Sequence, residues 1–355
     1  DISGTLDASV SEDGRVELAA KNSFDLRSTA RIKARDAYLR SVDGQLNLAT
    51  GSVIDLGDTK TPQGYLRLTA SRTADNSTIK MGVLGANISG AKRIDIEAVK
   101  AYESTAADGS TTALVDGYIA ASRNDITSFM AHASAIKQTL GIAANSAFHI
   151  VPGVEIWSKN NLTLNTELDL YNWRDGGEPG ILTLRAEKEL IFNESLSDGF
   201  AGRDIYSITA SGGWKSQERI RLMDDASWSY NLVAGADFSG ASRTTTAILP
   251  YDLLVKDEVI IRTGTGDIDM AASGDIKLVG EKSVVYTAGR SGGFGDLDSL
   301  YFKEDAGVKL GEAFLFNELY GAEFPIDGGD LTIRAGGNIV AQPSQQLYTE
   351  WLARV

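Results

Sequence analysis

Leu182-Thr183-Leu184-Arg185-Ala186 returns as Leu331-Thr332-Ile333-Arg334-Ala335. Diluted copies run through most of the chain: Arg15-Val16-Glu17-Leu18-Ala19, Ala30-Arg31-Ile32-Lys33-Ala34, Gln45-Leu46-Asn47-Leu48-Ala49, Tyr65-Leu66-Arg67-Leu68-Thr69 and Arg93-Ile94-Asp95-Ile96-Glu97. In each, apolar residues sit two apart with polar ones between, so one side of a strand faces a core and the other faces water. Strands this short cannot bury an apolar face alone. They are stable when copies stack, so the repetition predicts an elongated β-solenoid rather than a globule.

Spacing adds detail. Leu162-Thr163-Leu164 precedes Leu182-Thr183-Leu184 by 20 residues, which reads as one coil. Within 259–278 the strands come closer, at Val259-Ile261, Ile268-Met270 and Ile276-Leu278. Three short strands per coil of roughly 20–25 residues make a triangular solenoid. Gly264, Gly266 and Gly274 stand between strands, where corners call for positive φ. The whole of 1–355 is thus expected to be a single all-β solenoid with three interruptions. One is helical: Ile126, Phe129, Met130, Ala133, Ile136 and Leu140 form the stripe of an amphipathic helix within an insertion over 121–143. Asn124 is its expected N-cap and Gly141 its C′ stop. The other two, 199–226 and 287–327, are expected to be loop excursions, where a solenoid usually displays variable function.

Composition narrows the function. The 355 residues carry 48 acidic against 34 basic side chains, a net charge of -14, which disfavours nucleic acid as a partner. The same acidity keeps repetitive β proteins soluble and discourages edge-to-edge association. No cysteine occurs, so disulfides, thiol catalysis and zinc–thiolate sites are excluded together. No apolar run approaches the ~20 residues of a membrane helix. The chain opens directly on a strand-like segment, Asp1-Ile2-Ser3-Gly4-Thr5-Leu6-Asp7, with no signal peptide, as a mature or excised fragment would.

Catalytic chemistry finds little support. The two histidines, His132 and His149, lack partners at ligand spacing and read as structural. Asp267 and Asp269 share one strand face roughly 7 Å apart, within the range a glycosidase needs. Asp95 and Glu97 show how cheaply that pattern arises. Arg31-Ile32-Lys33 resembles a polygalacturonase triplet without its companion motifs. Gly292-Gly293-Phe294-Gly295-Asp296-Leu297-Asp298 resembles a calcium repeat, but the carboxylate is out of register and the copy is single. No enzyme activity, cofactor or metal is expected. The candidate ligand-contact residues are aromatics of the excursions: Trp214, Tyr301, Phe302 and Tyr320, whose rings suit sugar faces or a loop's own small core.

Segments 154–198 and 225–355 resemble the filamentous-haemagglutinin-like large exoproteins of two-partner secretion in Gram-negative bacteria. The phrases that carry this are Gly180 to Ala186 running on to Leu196-Ser197-Asp198-Gly199-Phe200, Ser227-Trp228-Ser229-Tyr230-Asn231-Leu232 to Asp237, Arg262 to Asp269, Tyr286 to Arg290, and Trp351-Leu352-Ala353-Arg354-Val355. The resemblance implies a right-handed parallel β-helix, secreted and held at the cell surface as a fibre, that mediates adhesion, aggregation or biofilm formation. It implies an outer-membrane partner transporter during secretion, a host or neighbouring-cell receptor or glycan as ligand, and self-association into fibres. The N-terminal secretion domain of such proteins is not identifiable here, which points to an internal segment of a larger protein. No catalytic residue transfers. Two other readings stay open: a polysaccharide-degrading β-helix using Asp267 and Asp269, and the stalk of a contact-dependent toxin.

Overall fold

The computed structural model describes residues 1–11, 14–106, 110–142, 145–208, 214–290 and 326–343, with backbone alone for 202–208 and 214–221. The described residues are mostly strands in parallel sheets, with two α-helices. A nine-stranded sheet runs the length of the chain, from Arg15–Ala20 through Ala91–Glu103, Phe148–Ser158 and Ile181–Ala186 to Leu331–Ala335. Shorter parallel sheets flank it. In the N-terminal part these are a four-stranded sheet ending at Asn87–Ser89 and a pair, Phe24–Leu26 with Leu46–Leu48. In the C-terminal part they are a six-stranded and a four-stranded sheet. The chain visits the sheets in a fixed cyclic order. Ile260–Thr263, Ile268–Ala272 and Ile276–Leu278, expected as three strands of one coil, fall into three different sheets.

The two copies of the opening phrase occupy equivalent positions in the long sheet. Leu182, Tyr230, Ile268 and Leu331 pair in file, as do Leu184, Leu232, Met270 and Ile333. Ala186, Ala234, Ala272 and Ala335 make a third file. Apart from Leu331, which is exposed, the apolar files point into one continuous core that also holds Leu39, Leu68 and Ile96. A repeat of five residues therefore sets register, because a slip by one would carry every Leu and Ile to the other face.

The 20-residue step does not mark one coil. Leu162 and Leu182 are not successive copies of one strand. Asn161–Leu164 belongs to the six-stranded sheet, where Leu162 pairs with Leu190, and Leu182 pairs with Val154 in the long sheet. Both true steps are 28 residues. The phrases look alike because every face of the stack asks for the same apolar-polar-apolar pattern.

The glycine corners also need correction. Gly264, Gly266 and Gly274 are not among the residues with positive φ. Each instead lies against a neighbouring connecting segment: a Cβ on Gly266 would lie 1.9 Å from the Trp228 carbonyl oxygen. Gly266→Ala is expected to destabilise by about 1–3 kcal/mol through overpacking. A urea midpoint within error of the parent would show that the backbone there yields freely.

The helical insertion is present. A 3₁₀ turn, Asp116–Tyr118, leads into α1 (Ile119–Met130) and then α2 (Ala133–Thr139). Ile126, Phe129, Ile136 and Leu140 are buried in the core, as the stripe requires. Gly141 follows the last turn with φ 76°. Asn124 is not the cap: it lies exposed inside α1, which starts earlier because the 3₁₀ turn feeds directly into it. The 199–226 excursion carries an antiparallel hairpin, Phe200–Ile208 with Trp214–Leu222. Most of 287–327 lies outside the described residues.

The long sheet is not the flat wall that a straight rod needs. It is strongly curled, and the curl brings its two ends together across its polar face. Arg67 and Asp267 belong to positions five strand spacings apart, about 24 Å in a flat sheet, yet their side chains approach to 4.0 Å. Lys21 Nζ donates to the Phe238 carbonyl at 2.7 Å, and Arg40 Nη2 to Glu155 Oε2 at 3.1 Å. The expectation that alternate polar residues face water is therefore overturned here: Thr69, Asp95, Glu97, Glu155, Arg185 and Asn231 are all buried.

Candidate functional site

The curl turns a polar sheet face into the lining of a groove of about 340 Å³, within the range of small-ligand pockets. Tyr38, Tyr65, Arg67 and Asp95 line one side, and Gly180, Ser227 and Asp267 the other. Strand alternation explains the set. Tyr38, Arg67, Asp95 and His149 are register partners on four adjacent strands, so they share one face.

The tyrosine rings meet edge to face, 5.6 Å between centroids, and the Arg15 guanidinium lies 3.9 Å over the Tyr38 ring. Tyr65 Oη donates to Asp95 Oδ2 at 2.6 Å and accepts from Arg67 Nε at 2.9 Å. Arg93 Nε donates to Asp95 Oδ1 at 2.7 Å, while its Nη2 reaches Glu178 at 3.2 Å. Glu178 Oε1 also lies 2.6 Å from His149 Nδ1. Burial pushes the Tyr38 phenol up to about 12 and that of Tyr65 well above its ordinary range. Both hydroxyls stay protonated at neutral pH and can donate hydrogen bonds. The lining holds Asp36, Asp95, Asp267 and Asp330 against Arg67 and Arg93, a balance that favours neutral or cationic ligands over anions.

Beside the groove lies a buried cluster of ion pairs. Arg40 Nη2 and Arg185 Nη1 hold the two oxygens of Glu155 at 3.1 and 3.0 Å. Glu97 accepts from Thr69 Oγ1 at 2.9 Å and is paired with Arg243. Arg243 comes from the segment after Ala236, and the preceding Phe238 packs on Trp157 and under the Arg185 guanidinium. Burial alone would raise the Glu155 carboxyl, but Arg40 and Arg185 outweigh it and bring it down to about 2. Burial, with Arg243 nearby, lowers Arg40 to about 10.

The residues singled out in the sequence fare unevenly. Tyr301, Phe302, Tyr320 and the Trp214 side chain lie outside the described residues, as does the glycine-rich 292–298 segment. Asp267 and Asp269 are both engaged. Asp267 Oδ1 accepts the Asp330 N–H at 3.0 Å, and Asp269 lies 3.6 Å from Arg334 with its carboxyl raised by burial. His132 Nδ1 lies 3.0 Å from the Ser128 carbonyl within the helical insertion. His149 does have a partner, Glu178, which sequence spacing did not reveal because it is 29 residues away. Tyr38, Tyr65 and Arg67 were also missed, since each reads locally as the polar alternate of an ordinary strand. Among the described residues no group of three His, Asp or Glu side chains is placed to hold a metal ion, and no described helix is long and apolar enough to cross a membrane.

No family model, curated protein or solved structure matches this chain.

Proposed function

We propose that the chain is a right-handed parallel β-helix with three short strands per coil, bent back upon its long sheet, and that it is a non-catalytic, adhesive segment of a secreted bacterial surface fibre. One observation carries this reading: from Phe148–Ser158 to Val284–Thr287 each return of the chain adds one strand to the long sheet, then one to the six-stranded and one to the four-stranded sheet, in the same order. Such a stack lengthens by simple repetition, which suits a fibre. The resemblance to two-partner-secretion exoproteins supplies the rest: export through an outer-membrane transporter, self-association, and a receptor or glycan on a host or neighbouring cell.

The bend moves the expected contact surface. A straight shaft offers a long shallow face, whereas here the groove between the ends of the long sheet gathers aromatic, cationic and anionic groups in one place. A single groove of this size binds weakly, and many copies on one cell would supply the avidity. Beads coated with the full chain are expected to attach to epithelial or bacterial cells. Combining Tyr38→Ala with Arg67→Ala should cut attachment at least about tenfold. Attachment no better than that of beads coated with an inert protein would reject the adhesive role.

A further inference from the structure

We infer that the buried cluster beside the groove is a binding site for a small inorganic anion, held by Arg40, Arg185 and Arg243. This does not depend on the adhesive reading. Four guanidinium nitrogens there, Arg40 Nε and Nη1, Arg185 Nε and Arg243 Nε, are buried without a hydrogen-bond partner among the described residues. The three side chains are only 11%, 6% and 10% exposed. Arginine remains charged in proteins and has donors but no acceptor, so these groups cannot satisfy one another.

In the ion pairs of the cluster three guanidiniums meet two carboxylates, Glu97 and Glu155, while Arg67 also acts on Glu97 and Asp237 on Arg185. Orphaned buried N–H groups on charged side chains are unfavourable, and one small anion among them relieves this. The neighbouring groove is lined by more carboxylates than guanidiniums, which would keep an anion in the cluster rather than in the groove. Seclusion of the donors favours a bare ion over the carboxylate end of a large ligand. The three arginines come from separate places: Arg40 from Asp36–Ser41, Arg185 from Ile181–Ala186, and Arg243 from beyond Ala236. A bound ion would therefore also tie the two ends of the curled sheet together.

The test is thermal unfolding of the full chain at fixed ionic strength, starting in sodium gluconate, whose anion is too bulky to enter. Replacing gluconate with chloride, or in a second series with phosphate, is expected to raise the midpoint saturably by about 2–4 °C. The more effective series identifies a halide or an oxyanion site. Arg40→Met should abolish the rise, read against its own midpoint in gluconate so that the loss of the Arg40–Glu155 pair does not enter the comparison. Identical midpoints in all three salts, or a rise that survives Arg40→Met, would overturn the site and assign the donors to water. Should that variant not fold, chloride NMR linewidths of the parent decide: excess broadening that excess unlabelled halide or phosphate removes supports the site, and its absence refutes it.

Discussion

Glu155→Gln is expected to destabilise the protein by about 3–5 kcal/mol, the range seen when one partner of a buried ion pair is removed. Glu155 stands between Arg40 and Arg185, each bonded to one of its oxygens, in a region where all three side chains are nearly inaccessible. The amide keeps the shape and removes the charge. Both arginines are then left buried with no carboxylate between them, which is far less favourable than the intact trio or an apolar replacement. Replacing Glu155, Arg40 and Arg185 together with methionine should accordingly recover most of the loss. A urea midpoint for Glu155→Gln within about 1 kcal/mol of the parent would mean that water reaches the cluster and screens it.

The same pair predicts a pH dependence. The Glu155 carboxyl sits near 2 in the folded protein against an ordinary value of 4.5. A depressed folded-state value means that the unfolded chain takes up the proton first as pH falls. The stabilisation from this group is complete above about 4.5 and disappears progressively down to about 2. The stability gap between parent and Glu155→Gln should therefore hold constant from pH 7 to 5 and narrow as pH falls through that window.

None of this cluster could be read along the chain. Arg40, Glu97, Glu155 and Arg185 are alternate polar residues of four ordinary strands, and period-two patterning says which side a residue faces but not what will cover that side. The apolar side was legible for that reason: Leu182, Leu184 and Ala186 face the core, and the Leu331-Thr332-Ile333-Arg334-Ala335 copy pairs in the same files. The helical stripe from Ile126 to Leu140 was legible because local periodicity of 3.6 differs from that of the surrounding strands. Curling is a property of the whole sheet. It brings Arg67 to Asp267 across 200 residues of sequence without leaving a signature at either. The glycines show a related limit. Gly266 announced a tight place, but only the structure distinguishes a left-handed corner from the approach of the Trp228 carbonyl.

Trp228→Ala should also cost about 3–5 kcal/mol, the range for deleting a large aromatic from a core, and it tests how the stack supports the groove. The indole is fully buried. It packs edge-on to Trp173 at 6.2 Å, and a Cβ on Gly180 would come within 2.3 Å of its ring. Its backbone is held on both sides: the N–H donates to Asp198 Oδ2 at 2.6 Å, and the carbonyl accepts from Thr263 Oγ1 at 2.7 Å. Asp198 in turn receives Arg174 at 2.8 and 2.9 Å. The neighbours Ser227 and Ser229 line the groove with Gly180, so the ring is the packing behind that wall. Removing it leaves a void that Gly180, having no side chain, cannot fill. Trp228→Phe should lose less, since the indole Nε1 makes no hydrogen bond among the described residues and only volume is sacrificed. The expected order in urea at unchanged slope is parent, then Phe, then Ala. Bead attachment by the alanine variant should fall while the protein remains folded, because the groove loses its rigid backing without losing a polar group. An alanine variant as stable as the phenylalanine one would show that the wall is held by the Asp198 and Thr263 bonds rather than by the ring.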